Sequence, residues 1–561
     1  MKKILMIITG LIITFNATSQ SWSWAASLGG RSNTDGSIGM DRDATGNVYV
    51  CGDFEGTRNF GGTPLTAVAF SDFYFSKFNS AGAHQWTTQL SGTGTTTIIA
   101  NGVAVDATGN VLVTGFFSYN ITIGGTTYIN PGGNGDSFIA KYSATGTLIW
   151  SKVLSGNGNE FITSIKTLGN DIYISGSYSQ AFTFGTVSLT APAGGFDDAF
   201  IMKLDDQGNG VWGVKGGGSN DDRALCLSVS ANAIYWAGFC NSVASFGGVN
   251  LNPAGTGADV FISKLNSSGV QSWVKRYGGN LGQQINGMSQ DPWGNPICTG
   301  NFYATITFGT ATGLQLTEAY TMAPAGNGDG FVAKLNGSDG TCAWVRQIKC
   351  INGDNNEVSN GAVTDPGGST YVTGHFNGTT VFASTSAQTG PSLVSTNGKD
   401  AFIAKYSQTG TLLWVQKIGG SSNDQGKAVV FDANGICTVA GNFGGTLTLG
   451  ATTPITASPG SASLFIAKYD GLSAGIDEPV NTLKFESHPN PADHFITVTS
   501  ELTEPIELIE IYTITGVRVL ETKLDVHSNK YDIDISELSS GMYFLQITAG
   551  ENSGVKKIQI K

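Results

Sequence analysis

The sequence predicts an all-β fold, a seven-bladed β-propeller of four-stranded blades followed by a small C-terminal β-sandwich. The first observation is a repeated segment that reads DSFIAKYSATGTLIW at 136–150 and DAFIAKYSQTGTLLW at 400–414. The second is the spacing of the tryptophans at which the copies end, by 62, 64, 62, 61, 71 and 70 residues. These tryptophans are Trp24, Trp86, Trp150, Trp212, Trp273, Trp344 and Trp414. A period of this length indicates a repeat architecture.

Each period consists of four short apolar runs separated by polar turns. In the second copy these runs are 100–106, 111–115, 136–142 and 148–154. β-Branched and aromatic residues fill the runs, and Gly, Asn, Asp and Thr fill the gaps, which is typical of strands and turns. Four strands repeated seven times predict the propeller. A β-solenoid would need a shorter period, and α-repeats would need helical periodicity.

The two ends of the repeat region complement each other. The segment SWSWAASLGG at 21–30 matches the fourth-strand pattern, whereas the last copy ends at Tyr469 with no such strand behind it. We therefore expect Trp22–Leu28 to pair as the outer strand of the last blade, with Trp24 in the core. Such pairing closes the ring and leaves few strand edges open.

The domain boundaries follow from changes in composition. Residues 1–19 have the pattern of a secretory signal, with Lys2 and Lys3 before an apolar run and small residues before the expected cut. We assign 20–470 to the propeller, 471–483 to a linker and 484–561 to the C-terminal domain. No later segment approaches 18 apolar residues, so no membrane span is expected.

Charge and cysteine usage exclude several kinds of function. The net charge is −12 and no Lys/Arg cluster offsets it, which argues against a nucleic-acid partner. The seven cysteines keep no repeated position, so we expect them to be buried singly. Without a C-x-x-C motif a thiolate zinc site is not expected. We expect no cofactor, although the Asn/Asp/Gly-rich loops between blades leave calcium binding open.

Two segments resemble known families. The pattern D-x-x-GN-x-YV-x-G, F-x-G, D-x-F-I-A-K-x-x-x-x-G-x-x-x-W, over roughly Trp22–Asp470, resembles the SBBP-type β-propeller repeat of exported bacterial proteins. The C-terminal segment resembles the type A C-terminal sorting domain of type IX secretion in Bacteroidetes. The matching elements are Pro489-Asn490-Pro491, Thr515–Val519, Gly541–Tyr543 and a basic final strand, with His488 where the family usually has Tyr. The resemblance implies the type IX machinery as a partner and a secreted or outer-membrane surface location, reached through the periplasm.

A lysine recurs in every third strand, and a tryptophan in every fourth. The lysines are Lys77, Lys141, Lys203, Lys264, Lys334, Lys405 and Lys468. A residue that recurs in every blade usually stabilises the blade, whereas an active site occurs once. We therefore interpret both residues as structural. We expect the lysine stem to pack between blades while its ammonium reaches carbonyls or the Asp that begins the same strand. We expect the tryptophans to fill the outer blade.

The candidate binding residues lie in the two longest connections between second and third strands. These connections, 301–328 and 375–399, belong to neighbouring blades and should stand side by side on one face. The candidate ligand-binding residues are Tyr303, Phe308, Tyr320, Met322 and His375. Their aromatic rings could stack on a sugar or an apolar partner.

We therefore expect a secreted or cell-surface propeller that acts as a binding or adhesion module for a glycan or protein ligand. One alternative is an extracellular carbohydrate-active enzyme, a glycosidase or lyase with carboxylates at the central pore. The acids occur mainly at turn positions, so no catalytic residue is proposed. A third interpretation is a structural envelope protein.

Overall fold

The computed structural model describes most of the repeat region and much of the C-terminal domain. The described residues are 21–29, 38–132, 135–253, 255, 257–279, 281–303, 305–308, 314–317, 328–352, 357–384, 389–432, 436–450, 452–457, 462–470, 485–500, 506–513, 518–524, 528, 530–549 and 552–561. The predicted signal peptide and linker lie outside them. Among the described residues, no helix has the length and apolar character needed to cross a membrane.

The repeat region is a β-propeller in which the strands pair in seven groups of four, each called a blade. The first strands are Gly39–Arg42, Ile98–Val105, Glu160–Leu168, Asp222–Val229, Gln283–Gln290, Val358–Thr364 and Asp424–Phe431. The second strands are Val48–Phe54, Val111–Phe117, Asp171–Tyr178, Ile234–Cys240, Pro296–Phe302, Thr370–Phe382 and Cys437–Phe443. The third strands are Asp72–Phe78, Asp136–Tyr142, Asp198–Leu204, Asp259–Leu265, Asp329–Leu335, Ser392–Tyr406 and Ser463–Asp470. The fourth strands are His84–Leu90, Leu148–Leu154, Gly210–Gly218, Gln271–Tyr277, Cys342–Asn352, Leu412–Ile418 and, for the last blade, Ser21–Leu28.

The ring closes as the sequence predicts. Each first strand contacts the first strand of the next blade, and Asp424–Phe431 contacts Gly39–Arg42. Ser21–Leu28 pairs antiparallel with Ser463–Asp470 and covers the outer edge of the last blade. One detail was wrong, because Trp22 is the buried tryptophan of this strand and Trp24 is only half-buried. The Trp24 ring lies instead against Gly82 of the first blade.

Most connections between second and third strands are short β-hairpins. Their strands are Thr57–Arg58 with Leu65–Thr66, Asn120–Ile123 with Thr126–Ile129, Phe182–Phe184 with Val187–Leu189, Ala244–Phe246 with Val249–Leu251, Thr305–Phe308 with Leu314–Thr317, and Thr446–Leu447 with Ile455–Thr456. A 3₁₀ turn, Ala193–Gly195, follows the third hairpin. The sequence interpretation treated these connections as loops.

Several hairpins pair with the end of the fourth strand of the preceding blade, by a ladder in the fourth blade and by single bridges at Thr122, Thr307 and Leu447. Ala244–Phe246 extends the sheet of the third blade beyond Gly210–Gly218. The sixth blade has no separate hairpin, because its long second strand, Thr370–Phe382, reaches Cys342–Asn352 of the fifth blade. That pairing joins these two blades into one eight-stranded sheet. Backbone hydrogen bonds thus connect neighbouring blades along their outer edges.

The repeated lysine joins the strands of its own blade to the next blade. The Lys141 ammonium lies 2.7 Å from Asp106, and the Lys334 ammonium lies 2.9 Å from Asp291. Ammonium groups also donate to carbonyls in the third-to-fourth turn of the next blade. These pairs are Lys77 with Ala144, Lys264 with Gly337, Lys334 with Gln408 and Lys468 with Ser80. The structural role is confirmed, but the paired acid follows the first strand instead of beginning the third.

The repeated tryptophan binds the same turn of the next blade. The indole N–H groups of Trp150, Trp273 and Trp344 donate to backbone carbonyls there at 3.0, 3.1 and 2.9 Å. Each ring covers a turn glycine with positive φ, such as Gly208 beneath Trp150. A Cβ at Gly208 would lie 2.7 Å from the Trp150 ring, so only glycine fits this turn and this contact.

The seven cysteines are all free thiols, and six of them are buried. This agrees with their interpretation as small apolar residues of the core. Cys298 has no solvent-exposed surface and belongs to the buried cluster that joins the fourth and fifth blades.

The C-terminal domain is the predicted small β-sandwich. One sheet contains Phe485–His488, Phe495–Ser500 and Lys530–Asp534, and the other contains Leu508–Thr513, Arg518–Lys523, Gly541–Ala549 and Asn552–Ile560. Alternating apolar residues from both sheets, including Ile496, Ile511 and Leu545, form one buried core. The propeller clusters are separate from it.

Candidate ligand-binding groove on the loop face

One face of the propeller, here called the loop face, carries the connections that differ between blades. First and third strands begin at this face, and second and fourth strands end there. The opposite face carries the short turns bound by the lysines and tryptophans. Because those turns are fixed by contacts repeated around the ring, variation is confined to the loop face.

The structure places the predicted binding residues in different environments. Tyr303 is half-buried on the loop face, and its backbone N–H donates to Gly282 at 3.1 Å. Phe308 is 1% exposed and packs between Tyr277 and Phe331, so its ring belongs to the core and is not available for stacking on a ligand.

His375 is also buried, at 5% exposure, within the second strand of the sixth blade. Burial, together with nearby Lys399 and Lys427, lowers the pKa of the His375 imidazole well below its usual range. The side chain is therefore neutral and enclosed, which does not suit a ligand contact. Tyr320 and Met322 lie outside the described residues.

A groove on the loop face lies between the third and fourth blades. It has a volume of about 400 Å³ and is lined by Phe196, Asn220, Asp221, Asn241, Ser242 and Gly257. The Phe196 side chain is 48% exposed although it is a large apolar ring. The groove thus combines an exposed aromatic surface with amide and carboxylate groups, as ligand sites commonly do.

Hydrogen bonds hold the polar wall of this groove in place. The Asn241 side-chain amide donates to the Asp221 carbonyl at 2.7 Å, and the Asn241 N–H donates to Asp222 at 2.8 Å. The Asp221 carboxylate accepts the Asp197 N–H at 3.2 Å. These bonds come from three different connections, so the wall forms only when the two blades are assembled.

Two buried acids, Asp197 and Asp222, stand next to the lining residues of the groove and are not part of the lining. Asp197 pairs with the Arg223 guanidinium at 3.0 Å, yet burial still raises the pKa of Asp197 above its usual value. Burial raises the pKa of Asp222 to about 7. The raised pKa values favour the neutral forms of these two acids, so the acid that a ligand would meet is Asp221 in the lining, to which hydroxyl groups could donate.

The first strands of the blades share a second repeated arrangement, which the sequence analysis did not identify. A β-bulge in these strands carries Asn101, Thr163, Asn286 or Asn360. Each of these side chains donates to a backbone carbonyl of the next blade, over 2.6–3.3 Å. The amides and the hydroxyl at these positions therefore connect neighbouring blades. None of these four bulge residues carries a carboxylate.

Two segments match family models. Residues 487–561 match the secretion system C-terminal sorting domain, and residues 85–115 match the SBBP β-propeller repeat. The fold and these matches define an exported β-propeller protein. More specifically, the chain carries an SBBP repeat and a type IX C-terminal sorting domain, as the sequence motifs suggested. The sorting domain places it in the medium or on the outer-membrane surface and makes the type IX machinery a partner.

Curated relatives are more distant. The chain is 25% identical over 512 residues to an uncharacterized WD repeat-containing protein, L264, of Acanthamoeba polyphaga mimivirus. It is 24% identical over 414 residues to the regulatory protein FlaEY of Caulobacter vibrioides. These alignments cover 76% and 67% of the chain but only 36% and 39% of the relatives. A solved structure, the quinohemoprotein alcohol dehydrogenase of Comamonas testosteroni, aligns with a TM-score of 0.36 at 12% identity, over 85% of this chain and 80% of that one.

Proposed function

We propose that this protein is an extracellular binding module that holds a neutral, hydroxyl-rich ligand, such as a glycan, in the groove between the third and fourth blades. The propeller spans residues 20–470, and the C-terminal domain, residues 484–561, directs its export. The observation that carries the proposal is the half-exposed Phe196 ring beside the fixed amides and carboxylate of Asn241 and Asp221.

The chemistry of the groove favours a sugar over other small ligands. An aromatic ring offers a flat apolar surface for the C–H face of a sugar, and amide and carboxylate groups bond its hydroxyls. The Asp221 carboxylate in the lining disfavours phosphate and carboxylate ligands. Tyr303 stands further along the same face, in the fifth blade, and extends the surface for a ligand longer than one sugar unit.

A glycan array on the mature chain tests the proposal. We expect one class of neutral glycans to bind, and Phe196→Ala to weaken that binding about two- to tenfold, since stacking contributes roughly 0.5–1.5 kcal/mol. Phe70→Ala is the matched control, because Phe70 is 60% exposed and also stands two residues before the third strand of its blade.

The outcomes separate the proposal from its alternatives. Loss of binding in Phe70→Ala but not in Phe196→Ala would move the site to another blade. Release of reducing ends from array glycans by the wild-type chain would favour the glycosidase interpretation. Absence of any glycan binding would contradict the proposed ligand class.

A further inference from the structure

The junction between the second and third blades holds two buried carboxyl groups, Asp136 and Glu160. Asp136 begins a third strand, and Glu160 begins the first strand of the next blade. Both residues have no solvent-exposed surface. Among the described residues, none of their four carboxyl oxygens accepts a hydrogen bond of ordinary geometry. The two groups face each other, and the Gly156 backbone N–H approaches Glu160.

The equivalent aspartates of five other blades each have a side-chain partner on the fourth strand. These pairs are Asp72 with Gln89, Asp198 with Lys215, Asp259 with Arg276, Asp329 with Gln347 and Asp400 with Lys417. In each of these blades, the partner on the fourth strand pairs with the third-strand residue that lies two positions after the aspartate. The second blade has Val153 at this position, so Asp136 lacks the donor that its counterparts use.

Glu160 also differs from its counterparts at the start of the first strand. Asp222 accepts two backbone N–H groups, from Gly218 and Asn241, at 2.6 and 2.8 Å. Glu357 accepts the Asn377 N–H and the Thr380 hydroxyl at 3.2 and 3.0 Å. Each of these counterparts therefore has at least one hydrogen-bond or ion-pair partner among the described residues, whereas Asp136 and Glu160, at one junction, are both buried with no hydrogen bond of ordinary geometry on either oxygen.

We propose that Asp136 and Glu160 bind a divalent cation, Ca²⁺ fitting best, which ties the second blade to the third. Two buried carboxylates without donors are costly, and a cation bonded to both removes that cost. Ca²⁺ accepts six to eight oxygen ligands in irregular geometry, from carboxylates and backbone carbonyls.

The surroundings of the pair suit such an ion. Glu160 follows the Gly/Asn-rich segment 155–159, which is a source of backbone carbonyls. Gly156 lies close against Glu160, since a Cβ there would lie 2.7 Å from its Oε1 atom, so the absence of a side chain lets this backbone segment approach the carboxyl pair. Extracellular calcium modules work at roughly 10⁻⁴–10⁻³ M, an affinity that suits an exported protein.

The experiment measures the melting temperature of the full mature chain in EDTA, CaCl₂ and MgCl₂, with terbium luminescence as a direct probe of binding. We expect Ca²⁺ to raise the melting temperature of the wild-type chain. The double variant Asp136→Asn/Glu160→Gln should fold without the ion and lose both the shift and the terbium signal. Val153→Gln, which restores the donor of the other blades, should weaken the calcium response.

Asp400→Asn is the control, because it removes an equivalent aspartate that already has the Lys417 partner. This variant should be less stable and keep the full calcium shift. An unchanged melting temperature of the wild-type chain in EDTA and CaCl₂ would overturn the proposal. Stability that responds to pH alone would assign a shared proton to the pair instead. A calcium shift that persists in the double variant would place the ion elsewhere.

Discussion

At the scale of single residues, the third-strand lysine Lys141 makes ion pairs both within its own blade and with the next blade. The Lys141 side chain is 3% exposed, and its partner Asp106 has no exposed side-chain surface. Lys141 also contacts Asp206 in the next blade. One ammonium group therefore satisfies a buried acid and connects two blades.

Replacing Lys141 by Met should destabilise the propeller by about 3–5 kcal/mol, because Asp106 would remain buried without its counter-charge. Chemical denaturation of the mature chain measures this loss. Lys152→Met is the control, since the Lys152 ammonium donates to Asn209 at the exposed surface, and this substitution should change stability by about 0.5 kcal/mol or less. Equal effects of the two substitutions would contradict the structural role of Lys141.

The lysine also shows where sequence reasoning reached its limit. The stem packing and the carbonyl partners could be predicted from the repeat alone. The paired acid could not, because Asp106 follows a different strand and approaches Lys141 only through the strand order of the blade. Where Thr167 replaces this acid in the third blade, Lys203 pairs at 2.7 Å with Asp171, the first residue of the second strand.

Glu357 gives a residue-scale prediction about pH. It is buried, and burial together with the neighbouring Asp329 raises its pKa to about 8. The folded state therefore binds its proton more tightly than the unfolded state, for which the pKa is near 4.5. Its contribution to stability is complete below that value and is lost as the pH rises through about 8.

Glu357→Gln should make the melting temperature less dependent on pH between about 5 and 8. Melting curves of the wild-type and variant chains over this range measure the difference. Glu486→Gln makes the same chemical change at an exposed glutamate of the C-terminal domain and serves as the control. A variant whose curve runs parallel to that of the wild type would show that Glu357 does not titrate in this range.

At the scale of elements, the N-terminal strand holds the ring closed. Trp22 is 9% exposed, with its ring centroid 5.0 Å from that of Tyr469. Leu28 is buried at the other end of the strand. The pairing of Ser21–Leu28 with Ser463–Asp470 leaves the last blade without an open outer edge.

Trp22→Ala should cost about 3–5 kcal/mol, as loss of a buried tryptophan does, and deletion of residues 20–29 should cost more. Thermal and denaturant unfolding of the mature chain test both. Ser23→Ala changes an exposed residue of the same strand and should be close to neutral. A deletion that leaves the melting temperature unchanged would refute closure by this strand.

The connections between second and third strands show a limit of a different kind. Their lengths predicted variable loops, and Phe308 and His375 looked accessible. In the structure the connection with Phe308 folds as a hairpin, and the sixth-blade connection pairs with Cys342–Asn352 of the fifth blade. Pairing between blades depends on how the ring brings distant strands together, which alternation within one strand does not encode.

The groove near Phe196 was missed for the same reason. Its lining residues come from connections of two blades, and each connection alone reads as a turn. One signal was present in the sequence, the paired aspartates at 197–198 and 221–222, which no other junction has. Repeat-by-repeat comparison of the acids would have directed attention to this junction.

At the scale of the whole molecule, the protein combines a propeller that is stabilised by repeated contacts between blades with a C-terminal domain that directs export. Lysine, tryptophan and bulge residues repeat around the ring and leave the loop face free to vary. The C-terminal sandwich has its own core and matches the sorting domain over 487–561. The propeller is thus the domain that is exported, and the C-terminal domain is the signal that directs its export.

The most direct test of this account expresses the chain truncated after Leu483 in its native host and locates it by fractionation and surface labelling. The account predicts a folded propeller that accumulates in the periplasm, while the full chain reaches the surface or the medium. Resistance of the trapped fragment to protease would show that the ring assembles without the sorting domain. Truncated protein at normal levels on the surface or in the medium would contradict the account.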